Sequence, residues 1–180
     1  MEYMIFHIEF RRIEPKIWRT IAVMCDAGAM GLHDAIQMSG EWWSYHLWDL
    51  SKDNRRVAVS HRGEDEADEN VPLAFDAELP FLFPREGTKL CYCYDYGDNW
   101  ELDVVYEGTR EIRGKRSIYL VLDGQRAFPP EDAAGVYGYY DCLAAVGELP
   151  SDDLGAEHKK ELLEWLGDWD PNRVPTFDKV

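Results

Sequence analysis

The feature that most constrains this fold is a pair of alternating segments joined by a tight turn, between positions 89 and 107. Every second residue from Leu90 to Tyr96 is apolar or aromatic, and the same alternation runs from Trp100 to Tyr106. A period of two indicates strands with one buried face, and the Gly97-Asp98-Asn99 link is typical of a hairpin turn. An isolated hairpin is only marginally stable in water, so the chain must supply further strands and a covering layer.

Other parts of the chain are also predicted to be strands. Apolar residues alternate from Met4 to Phe10, and a second strand is predicted from Ile17 to Met24 after a short link. So short a link favours an antiparallel pair. Further strands are predicted at 46–50, with 57–59 as its partner, and at 117–122.

Helical periodicity is found outside these strands. Near the N-terminus, Asp26 is a predicted N-cap for a helix that runs to about Gly40. Two more helices are predicted around 139–146 and 162–169, and Gly147 is placed to end the first of them. No repeat or linker divides the chain, so we predict one domain over residues 1–180. The predicted class is α+β, with a curved, largely antiparallel sheet, one helix near the N-terminus and two helices in the C-terminal third.

The charge balance restricts the possible partners. The chain has 19 Lys and Arg against 35 Asp and Glu, a net charge of −16. Such a negative field opposes binding to nucleic acid and to anionic membranes, because both depend on Lys and Arg that neutralise phosphates. The first residues lack the pattern of a signal peptide, so a cytoplasmic protein without a membrane segment is expected. The acidic run Glu64–Glu69 is expected to be a solvated loop.

The hairpin turn is the first candidate site. It carries Asp95 and Asp98 among the rings of Tyr94, Tyr96 and Trp100. Carboxylate oxygens that converge from a turn are the ligands that Mg²⁺ or Ca²⁺ requires. Gly, Asp and Asn are also the residues that a tight turn needs for its backbone conformation. The composition of the turn leaves both interpretations open.

Two further candidates lie elsewhere in the chain. Glu131 and Asp132 follow two prolines, where they can cap a helix or, if buried, act as an acid–base pair. His46 lies among tryptophans, and a histidine in such surroundings is a candidate proton carrier or metal ligand. The sequence contains no G-x-S-x-G, H-E-x-x-H or P-loop motif, so covalent and zinc-hydrolase mechanisms have no positive support.

Two motifs are specific when they occur together and in this order. They are Tyr94–Trp100, with the pattern Y-D-[FY]-G-D-x-W, and Gly124–Asp132, which ends in Pro-Pro-Glu-Asp. Shorter matches accompany them at Pro15–Arg19, Leu32–Gln37, Trp43, His46–Leu47, Gly138–Tyr139 and Trp169–Pro171. In these segments, over nearly its whole length, the chain resembles the plasmid pRiA4b ORF-3-like family. The resemblance implies a compact α+β fold. Some members carry transposon- or resolvase-type labels, but no recombinase-like nucleophile arrangement accompanies the motifs here.

The chain departs from the family pattern at positions of chemical interest. Leu102 stands where members typically have His, and Trp48 replaces the second His of an H-L-H strand. Ala133, Ala134 and Gly135 follow Pro-Pro-Glu-Asp, where members typically have Cys or Val and two Gly. The two lost histidines argue against a histidine-based metal or acid–base centre. They favour a copy that binds without catalysing a reaction.

Three hypotheses follow. The first is a non-enzymatic binding module whose acidic and aromatic surface takes a basic peptide, a basic protein or a small cationic ligand. Its binding residues would be Tyr94, Asp95, Tyr96, Asp98, Trp100, Glu131, Asp132 and His46. The second is a divalent-metal-dependent hydrolase or phosphotransfer enzyme, which requires the two acidic motifs to meet in space. Its ion would be held by Asp95, Asp98, Glu131 and Asp132. The third is a DNA-associated mobile-element accessory, which needs a basic face. The basic residues that could form such a face are Arg55, Arg56, Arg62 and those of the cluster at 110–116.

Overall fold

The computed structural model describes residues 1–61, 70–114, 117–150 and 154–178. The acidic run 64–69, Arg62, Lys115 and Arg116 lie outside the described residues. The strands are β1 (Glu2–Phe10), β2 (Trp18–Met24), β3 (Trp48–Lys52), β4 (Arg55–Val59), β5 (Lys89–Tyr94), β6 (Trp100–Glu111) and β7 (Tyr119–Gln125). They form one curved, open sheet in the order β4-β3-β5-β6-β1-β2-β7, and all neighbouring strands are antiparallel.

The predicted hairpin lies near the middle of this sheet. β5 and β6 pair from Lys89 opposite Val105 to Tyr94 opposite Trp100. The turn residues therefore lie beyond the ends of these two strands. The predicted N-terminal pair is also confirmed, because β1 and β2 are antiparallel neighbours. Register shifts interrupt the ladders of β1 with β6, of β2 with β7 and of β3 with β4. Bulges of this kind bend strands and increase their twist, in agreement with the curvature of the sheet.

The helices differ in part from the prediction. They are α1 (Gly28–Ser39), α2 (Leu79–Leu82), α3 (Gly135–Val146) and α4 (Ala156–Leu166). The short α2, with Pro80 in its first turn, was not predicted. The N-cap of α1 is Ala27 and makes no side-chain cap bond, so the prediction for Asp26 is wrong. Gly147 does end α3, in the left-handed conformation that this position favours.

One face of the sheet carries the main core. α1 packs against β2 and β7 on that face, and α3 packs against α4. Phe10 lies at the centre of an aromatic group, in edge contact with Trp42, Trp100 and Phe128. The α+β class and the single domain with a curved antiparallel sheet are therefore confirmed. Among the described residues, no helix has both the length and the apolar character needed to cross a bilayer.

Candidate functional site

Three segments meet where the β5–β6 turn leaves the sheet. They are the turn itself, the segment before β3 and the segment before α3. The backbone N–H of Asp95 donates to the carbonyl oxygen of Leu47 at 3.0 Å, which joins the first two. The indole N–H of Trp42 donates to the carbonyl oxygen of Pro129 at 2.8 Å, which joins the second and third. The two acidic motifs therefore lie side by side.

His46, Asp95 and Asp132 form a compact group at this meeting point. Nε2 of His46 lies 3.4 Å from Oδ2 of Asp95 and 3.2 Å from Oδ1 of Asp132, and one ligand atom of each residue lies within 4.8 Å of the others. Asp95 is only 7% exposed, His46 is partly buried and Asp132 is exposed. The group thus has a buried floor and an open side, which is the arrangement of a site that a ligand can enter.

Each carboxylate of the group also accepts a hydrogen bond from a residue other than His46. The hydroxyl of Tyr45 donates to Oδ2 of Asp132 at 2.5 Å, and the backbone N–H of Gly97 donates to Oδ1 of Asp95 at 2.9 Å. The hydrogen bond to Asp132 is the main reason that the pKa of Tyr45 lies above its usual value. Outer partners of this kind orient ligand side chains. The oxygen atoms nearest His46 are therefore fixed in place.

Glu131 and Asp98 belong to the surroundings of the group rather than to the group itself. Glu131 accepts from the hydroxyl of Tyr94 at 2.6 Å and from the backbone N–H of Trp43 at 2.8 Å. Oδ2 of Asp98 is buried and has no hydrogen-bond partner. Burial raises the pKa of Asp98, and the charge of Asp95 raises it further. Of the four carboxylates predicted to hold an ion, the structure thus brings together those of Asp95 and Asp132. The third member of the group is His46.

Left-handed backbone conformations are concentrated around the group. Asp95, Asp132 and Ser44 have φ values of 56°, 58° and 59°, although none of them is glycine. Gly135 has φ 71°, and a Cβ there would lie 2.6 Å from the carbonyl oxygen of Asp98. Such conformations cost energy and persist only where the surrounding structure enforces them. Close packing of the turn against the start of α3 is what holds the acidic residues together.

Comparison with known proteins agrees with this arrangement of motifs. A model of the family described as "Plasmid pRiA4b ORF-3-like protein" matches residues 2–177. The chain belongs to this family. It is 27% identical over 158 residues to Uncharacterized protein y4hQ of Sinorhizobium fredii, covering 88% of this chain and 77% of that protein. It is also similar to the crystal structure of a protein of unknown function, MM3350, from Methanosarcina mazei Go1. That structure has a TM-score of 0.76 and 27% identity, and the match covers 97% of this chain and 95% of that one.

Leu102 and Trp48, two of the positions where the sequence differs from the expected pattern, belong to the core. Leu102 is fully buried, and Trp48 stacks on the ring of His33 with 4.4 Å between centroids. Neither position faces solvent, so both side chains contribute apolar packing. His46, two residues before Trp48, is in contact with Asp95 and Asp132.

The aromatic residues predicted for the binding surface are placed differently from the expectation. Tyr94 is fully buried and Trp100 is 1% exposed, so neither ring contributes to an exposed surface. Tyr96 is exposed, but its ring lies beneath the guanidinium of Arg56, with 5.4 Å to the centroid. Two further exposed rings near the group are those of Trp43 and Tyr45, neither of which was among the predicted binding residues.

Proposed function

We propose that this protein binds a divalent metal ion between His46, Asp95 and Asp132. The observation that carries the proposal is the approach of one nitrogen and two carboxylate oxygens from three separate segments. Imidazole together with carboxylate is a ligand set suited to first-row divalent ions such as Zn²⁺. A binding module for such an ion is the function that this geometry supports best.

The spacing of the three atoms supports a shared ion. Neighbouring ligands bound at about 2.0–2.2 Å lie roughly 2.8–3.6 Å from each other, with octahedral shells at the short end of this range and tetrahedral shells at the long end. The distances from Nε2 of His46 to the two carboxylate oxygens, 3.4 and 3.2 Å, fall within that range. The ligand oxygens of Asp95 and Asp132 lie within 4.8 Å of each other, and rotation of the exposed Asp132 side chain can shorten that third distance.

The local charge supports the same proposal. Asp95 and Asp132 both pair with the single imidazole of His46, and the carboxylate of Asp98 adds to their negative potential. A single imidazole cannot neutralise more than one of these charges in either of its protonation states. A divalent cation at the open side would neutralise two and would remove the repulsion between the carboxylates.

The open side of the group formed by His46, Asp95 and Asp132 suggests a second candidate function. Three protein ligands with a remaining open position are typical of catalytic rather than structural zinc sites. An ion held in this way activates a bound water or polarises a phosphoryl or carbonyl oxygen. Hydrolysis or phosphoryl transfer at the ion is therefore the enzymatic alternative to simple binding, and it rests on the same three residues.

Calorimetric titration of the metal-free protein with Zn²⁺ tests the proposal. We expect one site in the wild type, and at least about 100-fold weaker binding in Asp132→Asn and His46→Gln. Loss of an outer partner alone typically costs 10–100-fold in affinity. Asp141→Asn and His158→Gln remove an exposed carboxylate and an exposed imidazole elsewhere, and should bind as the wild type does. Equal affinity in all five proteins would contradict the proposal.

A DNA-associated role has no comparable support. Among the basic residues that the structure describes, Arg11 and Lys89 both pair with Asp103, and Arg56 lies over the ring of Tyr96. The net charge of −16 opposes approach to a polyanion. We therefore expect unchanged electrophoretic mobility of DNA at low salt in the presence of the protein.

A further inference from the structure

An open groove lies beside the metal group, between the segments at 40–45 and 127–131 and the C-terminal residues from Trp165 to Pro175. Its volume is about 690 Å³. Its floor includes the apolar rings of Trp42 and Phe128, both almost fully buried. None of His46, Asp95 and Asp132 is among its lining residues, and the groove adjoins the metal group through Tyr45, which lines it and donates to Asp132.

Three aromatic rings line this groove and remain exposed. The exposed fractions of Trp43, Tyr45 and Trp165 are 80%, 54% and 50%. Rings of this size are normally buried, so their exposure around one concave surface indicates a contact surface. Trp is also the best aromatic partner for a cation over its face, and Tyr is another.

The charged groups of the groove are mostly acidic. Four carboxylates line it, those of Glu41, Glu131, Asp168 and Asp170, against the two guanidinium groups of Arg19 and Arg173. Both guanidinium groups already have partners in the protein. Arg19 donates to backbone carbonyl oxygens at 2.8–3.0 Å, and Arg173 pairs with Glu41 at 3.0 Å. The remaining carboxylates give the groove a negative potential.

We propose that this groove binds a basic peptide segment, with a Lys or Arg side chain placed against Trp43 or Trp165. Rings and carboxylates on the same surface complement a cationic chain both through cation–π contact and through charge. A single small cation would neutralise only one of the carboxylates, whereas a peptide with several positive side chains can match several. A second copy of this chain is disfavoured as the occupant, because each copy carries a net charge of −16.

The test measures fluorescence anisotropy of a labelled peptide of alternating arginine and glycine, in EDTA and at physiological salt. We expect the wild type to bind it, and the double variant Trp43→Ala/Trp165→Ala to bind about tenfold more weakly, since each lost cation–π contact contributes modestly at an exposed site. Phe75→Ala/Phe81→Ala is the matched control. It removes two rings that are 69% and 79% exposed and lie outside the groove, and it also leaves the net charge unchanged. This control should bind as the wild type does.

Several outcomes would overturn the proposal. They are no binding to the wild type, equal affinity in the two double variants, and equal affinity for a peptide with citrulline in place of arginine. Self-association that disappears only in Trp43→Ala/Trp165→Ala would assign the groove to a second copy instead. Trp43→Ala alone, at a position 80% exposed, keeps the test valid if the double variant folds poorly. Asp132→Asn should retain peptide binding, so failure of the metal site and failure of the groove are distinguishable.

Discussion

Replacement of Arg19 by Met should lower the free energy of unfolding by about 3 kcal/mol or more. Arg19 is fully buried, and its guanidinium donates to the carbonyl oxygens of Ser39, Trp18 and Gln125. It also lies 4.7 Å from the centroid of the Phe128 ring. Ser39 is the last residue of α1, so the positive charge lies at the negative end of the helix dipole. Met would fill most of the space but remove the donors to the buried carbonyl oxygen of Ser39 and to the part-buried carbonyl oxygens of Trp18 and Gln125.

Urea denaturation measures this effect, and two variants make it specific. Arg19→Lys keeps the charge, but a single ammonium cannot reproduce the planar guanidinium geometry, so an intermediate loss is expected. Arg173→Met removes an exposed guanidinium that pairs with Glu41, and such pairs contribute about 0–1 kcal/mol. A loss for Arg19→Met no larger than that for Arg173→Met would show that the buried hydrogen bonds do not stabilise the fold.

Acidification should destabilise the protein through His33. This residue is 2% exposed, and burial lowers the pKa of His33 from 6.5 to about 4. The unfolded chain therefore binds a proton between pH 6.5 and 4 that the folded chain does not, and stability falls as the pH falls through this window. The contribution of His33 to that loss is about 3 kcal/mol, and it is complete once the pH is below the folded pKa.

The hydrogen bonds around His33 explain why it stays neutral. The hydroxyl of Tyr92 accepts from Nε2 of Gln37 and lies 2.8 Å from Nδ1 of His33, and we assign its own proton to that second contact. The proton of His33 is thereby placed on Nε2, where it is donated to the hydroxyl of Ser44 at 2.5 Å. A second proton on Nδ1 would face the proton of Tyr92. The same assignment makes Ser44 an acceptor, so the His33–Ser44 pair is not an activated nucleophile.

Unfolding free energies of the wild type and of His33→Gln between pH 7 and pH 4 provide the measurement. Other carboxylates titrate in the same range, so the difference between the two curves isolates the histidine. We expect that difference to change by about 3 kcal/mol over the window. His158→Gln, which removes an exposed imidazole on α4, should follow the wild type. Parallel curves for the wild type and His33→Gln would contradict the account of a buried neutral imidazole.

Local patterns predicted the strands better than the segments between them. The alternation that starts at Leu90 and resumes at Trp100 is a property of neighbouring residues, and the structure places β5 and β6 there. The strand predicted to begin at His46 begins instead at Trp48. This difference matters because His46 is released from the ladder and can turn towards Asp132. Turns and tertiary contacts determine where this strand begins, and the periodicity of the sequence gives no information about those contacts.

The sequence predicted two acidic residues of the candidate site, but it did not predict that they would share the site with His46. The motifs identified Asp95 and Asp132, yet their approach to His46 depends on packing between segments distant in the chain. The adjacent Trp42 and Trp43 show the same limit. Both line the groove, but Trp42 is 5% exposed and belongs to the core, while Trp43 is 80% exposed. Neighbouring rings of the same type carry no sequence signal that distinguishes these roles.

The most direct test of the central proposal is a crystal structure of the wild type grown with Zn²⁺, with anomalous data collected at the zinc edge. The proposal predicts one anomalous peak about 2.0–2.2 Å from Nε2 of His46, Oδ2 of Asp95 and Oδ1 of Asp132. No peak at this position, or a peak only at other side chains such as Cys91 and Cys93, would contradict it.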